Sequence, residues 1–215
     1  MNELYGKFNL KYPYLRFLND ASIKENVIGW NGISPSILQE IVSINPNLII
    51  EVGSFLGHST CILGDAIKKN NPDFTLLCID TWLGSIEHWR GDLDLKLHLW
   101  NGFENGISGL YDQFLKNIII RGLHNNVIPI PCTSYIGHEL LKHNNIQADV
   151  IYIDGSHEEM DVYYDLKRYY SLLKSGGIIF GDDIDFQSVQ LGVGRFCNVF
   201  NRSYKIYDNR FWKIV

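Results

Sequence analysis

The chain has 215 residues, a length that favours one domain, and its 46% apolar residues suffice for a substantial core. A net charge of −5 and the absence of a Lys and Arg cluster argue against nucleic-acid binding and favour a small-molecule partner. No apolar run approaches the length of a membrane span, and the first residues lack a signal-peptide core, so we expect a cytoplasmic protein without membrane contact.

The four cysteines, Cys61, Cys78, Cys132 and Cys197, are scattered without a C-x-x-C pair. This spacing favours neither a metal cluster nor a disulfide framework. Three of them lie within or beside apolar runs, so we expect reduced and mostly buried thiols, as in a reducing compartment. The sequence leaves the oligomeric state open, a homo-oligomer included.

The chain alternates short apolar runs with amphipathic stretches. Residues 1–46 are expected to form a helical and loop cover, in which Ser34-Pro35 opens a helix through Val42. Continuous apolar runs, as expected for parallel strands covered on both faces, then occur at Asn47–Val52, Phe74–Ile79, Asn126–Ile130, Asp149–Ile153 and Gly177–Phe180. Helical spacing predicts helices over Ser59–Lys69, Leu110–Ile120 and Glu158–Lys174, with Gly176 as the C-cap of the last.

This alternation predicts an α/β fold with a doubly wound, mostly parallel sheet and helices on both faces. The end of the chain differs, because Tyr204–Tyr207 and Phe211–Val215 flank Asp208-Asn209-Arg210 and predict an antiparallel hairpin. Residues 81–109 are longer than a normal connection and rich in Gly, Trp and His, which indicates a substrate cover. We expect all 215 residues to form one domain.

The loop after the first predicted strand, EVGSFLG from Glu51 to Gly57, suits a nucleoside ligand. Gly53 permits a tight turn with close backbone approach, and Gly57 permits close packing where the next helix starts. The G-x-x-x-G spacing is not the G-x-G-x-x-G pattern that binds a pyrophosphate, and no P-loop lysine follows. Glu51 would repel a pyrophosphate but could hold a cationic amino-acid group, directly or through water. A plain strand-to-helix turn would also use these glycines.

Asp80 ends the second predicted strand, where an acid that binds ribose hydroxyls belongs. An acid in this place without a pyrophosphate loop indicates a nucleoside that carries no phosphate. S-adenosylmethionine fits that description and NAD does not.

The motifs EVGSFLGHST and CIDTW resemble the first two motifs of Rossmann-like S-adenosylmethionine-dependent methyltransferases. The resemblance extends from Gly29 to Val215 and implies a seven-stranded sheet that ends in an antiparallel hairpin. It implies that Gly53 lines the methionine part of the cofactor, that Asp80 binds the ribose, and that Cys132-Thr133-Ser134 lies beside the adenine. The other residues that we assign to the cofactor site are Glu51, Ser54, Gly57, Ser59, Thr81, Trp82 and Asp154.

Three further acids follow predicted strands: Asp154 follows the fourth, and Asp182 and Asp183 follow the fifth. Because neighbouring parallel strands lie ~4.8 Å apart, these side chains can converge. Three converging carboxylates repel one another unless a cation or protons intervene, and oxygen ligands suit Mg²⁺. We therefore predict a site for Mg²⁺ or another divalent cation formed by these three acids, rather than solvated loop acids and a helix cap.

The run from Ile153 to Asp183 resembles metal-dependent O-methyltransferases of the catechol type and of the type that methylates macrolide sugars. The resemblance implies that Asp154, Asp182 and Asp183 bind the metal and that His157 occupies the position of a general base. His157 also starts a predicted helix just after a strand end, and histidine exchanges protons near neutral pH. The catechol enzyme differs, with Lys at the His157 position and an acid–amide pair in place of Asp182-Asp183.

The predicted reaction is methyl transfer to a hydroxyl of a sugar or catechol-like molecule, with Mg²⁺ to orient it, and with His157 and Asp154 as the catalytic residues. Trp82, Trp89 and Trp100 would wall the pocket or, equally, cover core. His88 lies in the predicted cover. The alternatives are a metal-independent methyltransferase that uses His157, a non-catalytic nucleoside-binding module, and a nicotinamide oxidoreductase. The missing G-x-G-x-x-G pattern and the terminal hairpin count against the oxidoreductase.

Overall fold

The computed structural model describes residues 2–27, 32–86, 89, 103–104 and 107–215. Most of the predicted substrate cover at residues 81–109, with His88 and Trp100, lies outside the described residues, as does Gly29. Among the described helices, none is both long enough and apolar enough to span a bilayer.

Seven strands form one mixed sheet in the order β5-β2-β1-β6-β7-β9-β8. The first five of that order run parallel, and β9 and β8 form the predicted antiparallel hairpin at one edge. A short antiparallel pair, β3 and β4, stands apart from this sheet. The strands are β1 Leu48–Val52, β2 Thr75–Asp80, β3 Phe103–Glu104, β4 Ile107–Ser108, β5 Val127–Pro131, β6 Ala148–Ile153, β7 Leu173–Gly181, β8 Tyr204–Tyr207 and β9 Phe211–Ile214. The predicted fold class is therefore confirmed.

The described helices cover both faces of the sheet, and their bounds are α1 Asn2–Lys7, α2 Pro35–Ser43, α3 His58–Lys68, α4 Leu110–Ile120, α5 Ser134–His143, α6 Glu159–Tyr170 and α7 Gln187–Phe200. A 3-10 turn, Pro13–Arg16, follows α1. The N-cap of α2 is Ser34, whose hydroxyl accepts from the Ile37 amide at 3.5 Å.

Two apolar layers sandwich the sheet. One layer contains buried residues of α1, α6 and α7, and the other contains buried residues of α2, α3 and α4. The strands feed both layers alternately, so that Ile50 and Ile151 face one layer and Ile49 and Val150 face the other. This double burial explains why the strands are continuous apolar runs in the sequence.

The helix predicted over Glu158–Lys174 is shorter in the structure. It ends at Tyr170, and Leu173 already belongs to β7, paired with Ala148. Lys174 donates to the Asp149 carboxylate at 2.7 Å, and Gly176 lies within β7 at φ +79° instead of capping the helix. The apolar spacing of these residues would also fit a helix, but in the structure they belong to β7, which pairs with β6.

The four cysteines are free thiols in the structure. Cys61, Cys78 and Cys197 are buried and Cys132 is half-buried, which confirms the prediction of mostly buried thiols. Burial raises the pKa of Cys61 to about 12 and that of Cys132 to about 11, which disfavours the thiolate form that acts as a nucleophile.

Candidate cofactor and reaction site

The carboxyl ends of the parallel strands surround a cavity of about 900 Å³. A doubly wound sheet binds its ligands at this edge. The predicted site residues that line the cavity are Gly53, Ser54, Ser59, Asp80, Thr81, Ser134, Asp154, His157, Asp182 and Asp183. Three further predicted residues, Glu51, Gly57 and Trp82, are not part of its lining.

The two glycines of the first loop are both required by the backbone. Gly53 has φ +86°, and a Cβ there would lie 1.9 Å from the carbonyl oxygen of Asp154. Gly57 has φ +83° and is the N-cap of α3, where a Cβ would lie 3.1 Å from the Phe114 ring. Gly53 thus lets the ends of β1 and β6 approach each other at the floor of the cavity, and Gly57 acts on helix packing.

Glu51 lies beneath the first loop rather than in the cavity. Its side chain is 0% exposed, and the hydroxyls of Ser54, Ser59 and Thr60 donate to its two oxygens at 2.8, 2.6 and 2.5 Å. Burial raises the pKa of Glu51, and the hydroxyl bonds oppose that rise. The expectation that Glu51 holds a cationic group directly is not supported by this position, because its oxygens already orient the loop.

Asp80 joins the first two motifs. Its Oδ2 accepts from the backbone amides of Ser54 and Phe55 at 2.9 and 2.8 Å, and its Oδ1 accepts from the Trp82 amide at 2.7 Å. A carboxylate has about four lone-pair sites, so these bonds leave acceptor capacity on the cavity side. The side chain therefore fixes both loops and still faces the cavity, as a ribose-binding acid would.

Trp82 belongs to the core and not to the pocket wall. Its side chain is 2% exposed and its ring packs on Tyr111 and Phe114, with centroids 4.8 and 5.0 Å apart. Its indole N–H donates to the Phe55 carbonyl at 2.8 Å. The prediction that Trp82 contacts a ligand is thus corrected to a structural role. Trp89 is exposed, and its indole N–H donates to the Leu83 carbonyl.

The end of the cavity near β5 carries Cys132, Thr133 and Ser134, the predicted adenine neighbours. The Thr133 hydroxyl caps α5 by accepting from the Ile136 amide at 3.3 Å. Asp165 of α6 also lines this end, and the sequence analysis missed it. Asp165 could have been found in the sequence, because it is an acid next to Leu166 on the stripe of the predicted helix that faces the core.

The opposite end, near β6 and β7, gathers the proposed reactive groups. Ligand atoms of Asp154, His157 and Asp183 all lie within 4.8 Å of one another. His157 Nε2 is 2.9 Å from Asp183 Oδ2, and its ring stacks on Phe186. The Tyr152 hydroxyl donates to Asp154 Oδ2 at 2.8 Å. The structure therefore brings Asp154 and Asp183 together as predicted, with His157 as the third member.

Asp182 differs from its predicted place as a metal ligand. Its Oδ1 accepts from Arg210 Nε at 2.6 Å and from the Asp183 amide at 2.6 Å, and Arg210 Nη2 also donates to Asp183 Oδ1 at 2.8 Å. The sequence analysis assigned Arg210 only to a hairpin turn. A long-range pair of this kind has no local sequence pattern that would reveal it.

Burial and the neighbouring carboxylates raise the pKa values of acids at this end of the cavity. Burial first, and then the charges of Asp182 and Asp183, raise the pKa of Asp154 to about 8. Burial also raises the pKa of Asp182 to about 6, although the Arg210 hydrogen bond opposes the rise. These directions show carboxylates that are costly to ionise together.

The donor atoms that the structure gathers do not fit the Mg²⁺ that the sequence predicts. Arg210 already binds Oδ1 of Asp182 and Oδ1 of Asp183, and the third group of the trio is an imidazole. Mg²⁺ prefers an octahedral set of oxygens, whereas imidazole suits transition metals such as zinc. A metal at this site stays a prediction, and we assign it no step.

A family of methyltransferase domains matches residues 50–184. Since that match spans most of the chain and includes both motifs and the reactive acids, the protein belongs to this family of methyltransferases. The resemblance to S-adenosylmethionine-dependent methyltransferases is thereby confirmed. No curated protein matches the chain by sequence.

Solved structures resemble the chain in fold. An O-methyltransferase from Bacillus cereus in complex with S-adenosylhomocysteine has 16% identity and a TM-score of 0.59, covering 98% of this chain and 90% of its own. TomG from Streptomyces achromogenes, an O-methyltransferase of tomaymycin synthesis in complex with S-adenosylmethionine, has 14% identity and a TM-score of 0.58, with coverages of 86% and 81%. CalS11, a TDP-rhamnose 3'-O-methyltransferase of calicheamicin biosynthesis, has 14% identity and a TM-score of 0.54, with coverages of 82% and 75%.

Proposed function

We propose that the protein transfers a methyl group from S-adenosylmethionine to a hydroxyl of a small molecule, with His157 as the general base. The observation that carries the proposal is the His157–Asp183 pair, 2.9 Å apart, in the wall of the cavity that the Gly53 loop also lines. The proposed proton acceptor and the proposed nucleoside site would thus share one cavity. Acid–base catalysis by a positioned side chain needs that proximity.

The cofactor is proposed to lie along the strand ends. Its methionine part would lie against the turn at Gly53, where the missing Cβ permits close approach to the backbone. Its ribose hydroxyls would donate to the cavity side of Asp80, and its adenine would lie at Ser134. The acceptor then enters from the side of Asp154 and His157.

The chain's residues account for the chemistry as follows. When bound, S-adenosylmethionine supplies an electrophilic methyl group and leaves as S-adenosylhomocysteine. His157 takes the proton of the acceptor hydroxyl while the hydroxyl oxygen forms its bond to the methyl carbon and the carbon–sulfur bond breaks. Asp183 orients the imidazole and stabilises the imidazolium that results, as a carboxylate does for a catalytic histidine elsewhere. Most of the rate acceleration would come from holding the two reactants in line.

The acceptor class is proposed to be a sugar or another compound with neighbouring hydroxyls. Asp154, whose ligand atom lies within 4.8 Å of His157 and whose Oδ1 has no hydrogen-bond partner among the described residues, offers a carboxylate oxygen that can accept from a second hydroxyl. CalS11, which methylates a sugar hydroxyl, and two other O-methyltransferases of similar fold support this class. Nucleic acid and membrane are not proposed as partners, and self-association stays open.

The test measures S-adenosylhomocysteine release from S-adenosylmethionine with a panel of nucleotide sugars and catechols. We expect turnover with at least one hydroxylated acceptor, and His157→Gln should lower kcat by about 10²- to 10⁴-fold while the Kd for S-adenosylhomocysteine stays unchanged. His143→Gln, at an exposed position at the end of α5, is the matched control. Methylation of nitrogen or sulfur instead of oxygen, or full activity of His157→Gln, would contradict the proposal.

A further inference from the structure

The turn of the C-terminal hairpin places the Arg210 side chain at the proposed reactive end of the cavity, near β6 and β7. Arg210 precedes β9, and its guanidinium bridges two carboxylates, with Nε 2.6 Å from Asp182 Oδ1 and Nη2 2.8 Å from Asp183 Oδ1. Asp182 and Asp183 are both buried, and Arg210 lines the cavity beside them. We infer that Arg210 is the resident cation of the reactive end, a positioning residue that organises Asp183 and His157 without a divalent metal. This inference rests on the proposed function.

The hairpin is fixed to the acid loop by its backbone as well. The Ile184 amide donates to the Arg210 carbonyl at 2.8 Å, and the Trp212 indole N–H donates to the Asp182 carbonyl at 3.0 Å. A Cβ at Gly181 would lie 2.1 Å from the Trp212 ring, so the strand and the indole are in close contact there. These contacts fix the backbone at Arg210 and the side chain of the nearby Trp212. The Arg210 side chain therefore extends from a fixed position, unlike that of a surface arginine that samples many rotamers.

The guanidinium suits this position better than a point charge would. Its planar fork donates to two different carboxylates at once, and it remains charged at any physiological pH. This arrangement uses Asp183 Oδ1 and leaves Asp183 Oδ2 for His157 Nε2. The three side chains thus form a chain of contacts from Arg210 through Asp183 to His157, which sets the direction of the imidazole.

Loss of Arg210 would change the charge of the site. Asp154, Asp182 and Asp183 would then face one another with no cation among them, and uncompensated buried carboxylates are strongly unfavourable. Such a set resembles a divalent-metal site much more than the native set does, because Oδ1 of Asp182 and Oδ1 of Asp183 lose their guanidinium partner. Removal of Arg210 should therefore create metal binding rather than abolish it.

The experiment titrates Mn²⁺, a probe that accepts carboxylate and imidazole ligands, into the full chain by calorimetry. Wild type should show no binding at concentrations where Arg210→Met binds, and Arg210→Met should bind at least about 10-fold more tightly. Arg195→Met, which removes an exposed arginine paired with Glu159, is the matched control and should behave as wild type. If Arg210→Met does not fold, Arg210→Lys and the wild-type titration decide the matter.

Turnover provides the second readout. Wild-type methyl transfer should be unchanged after removal of divalent cations with a chelator, and Arg210→Met should lose about 10- to 100-fold in kcat at an unchanged Kd for S-adenosylhomocysteine, with partial recovery in Arg210→Lys. Tight Mn²⁺ binding by wild type, or turnover that stops in chelator, would overturn the inference. Failure of the proposed function is distinguishable, because it would appear as absent S-adenosylhomocysteine binding in every variant, whatever the Mn²⁺ result.

Discussion

Asp165 shows what a single buried acid costs the fold at neutral pH. It is 5% exposed on the inner face of α6, where burial raises its pKa to about 6, against the opposing effects of the Ser134 hydroxyl and Arg168. An acid whose pKa is raised on folding binds its proton more tightly in the folded state. The free energy of unfolding therefore falls as pH rises from about 4 to about 6 and stays lower above that range.

Replacement of Asp165 by Asn removes this cost. We expect Asp165→Asn to raise the free energy of unfolding by on the order of 1–3 kcal/mol at pH 7.5, with the gain shrinking as pH falls towards 4. Urea denaturation across pH 4–8 measures it. Asp161→Asn, at an exposed position one turn earlier on α6, is the control and should give no such gain. Equal pH profiles for Asp165→Asn and wild type would show that Asp165 is not buried in this way.

Some residues of the proposed site are marked by a local sequence pattern, and others are defined only by contacts between distant parts of the chain. Gly53 and Asp80 were predicted because each lies at the end of an apolar strand, where a glycine loop and an acid are typical of ligand binding. Arg210 was missed, because its contact with Asp182 joins residues 28 positions apart through the hairpin. Glu51 and Trp82 were placed in the correct loops, but their side chains point inward, which no spacing rule indicates.

The packing of α6 against α7 depends on one glycine. A Cβ at Gly192 would lie 2.6 Å from the Glu159 carbonyl oxygen and 2.9 Å from the Val162 Cβ, whereas a Cβ at Gly194 would meet nothing within 4 Å. The two positions lie on the same helix, so they form a matched pair. The contact also supports the site, because Glu159 is the first residue of α6 and follows His157 closely in the chain.

We expect Gly192→Ala to destabilise the protein by about 1–3 kcal/mol, because the helices must separate to admit the methyl group. Gly194→Ala should be neutral or stabilising by up to about 1 kcal/mol, since alanine favours a helix more than glycine does. Guanidinium denaturation of the two variants provides the comparison. Equal effects at both positions would mean that the close approach of α6 and α7 is absent in solution.

The sequence predicted the strands of the main sheet more completely than the helices. The seven strands of the main sheet, the hairpin included, were predicted to within a few residues at most of their ends, because buried parallel strands give continuous apolar runs, whereas the short β3 and β4 were not predicted. Helices α5 and α7 were not predicted; both contain glycine, which weakens intrinsic helix propensity, although α3 contains Gly64 and was predicted. Their glycines instead serve close packing, as Gly137 does where a Cβ would lie 2.7 Å from Ile79. Tertiary contacts thus stabilise helices that local preference does not favour.

The whole molecule brings the two parts of the proposed site to one sheet edge. The first two motifs and the β5 end line the half of the cavity proposed for the nucleoside, and the ends of β6 and β7 line the half proposed for the reaction. The sheet order supplies this division, because β1 lies between β2 and β6. The sequence predicted the fold and the edge of the sheet that carries the proposed site. It did not predict that the turn of the hairpin brings Arg210 next to the acids at that edge.

The most direct test of the methyltransferase assignment is ligand-induced thermal stabilisation of the full chain by S-adenosylhomocysteine and by NAD. A ligand at ~100 times its Kd stabilises the folded state by ~2.7 kcal/mol, which gives a clear shift of the unfolding midpoint. The account predicts a shift with S-adenosylhomocysteine, none with NAD, and loss of the shift in Asp80→Ala. Stabilisation by NAD alone, or by neither compound, would contradict it.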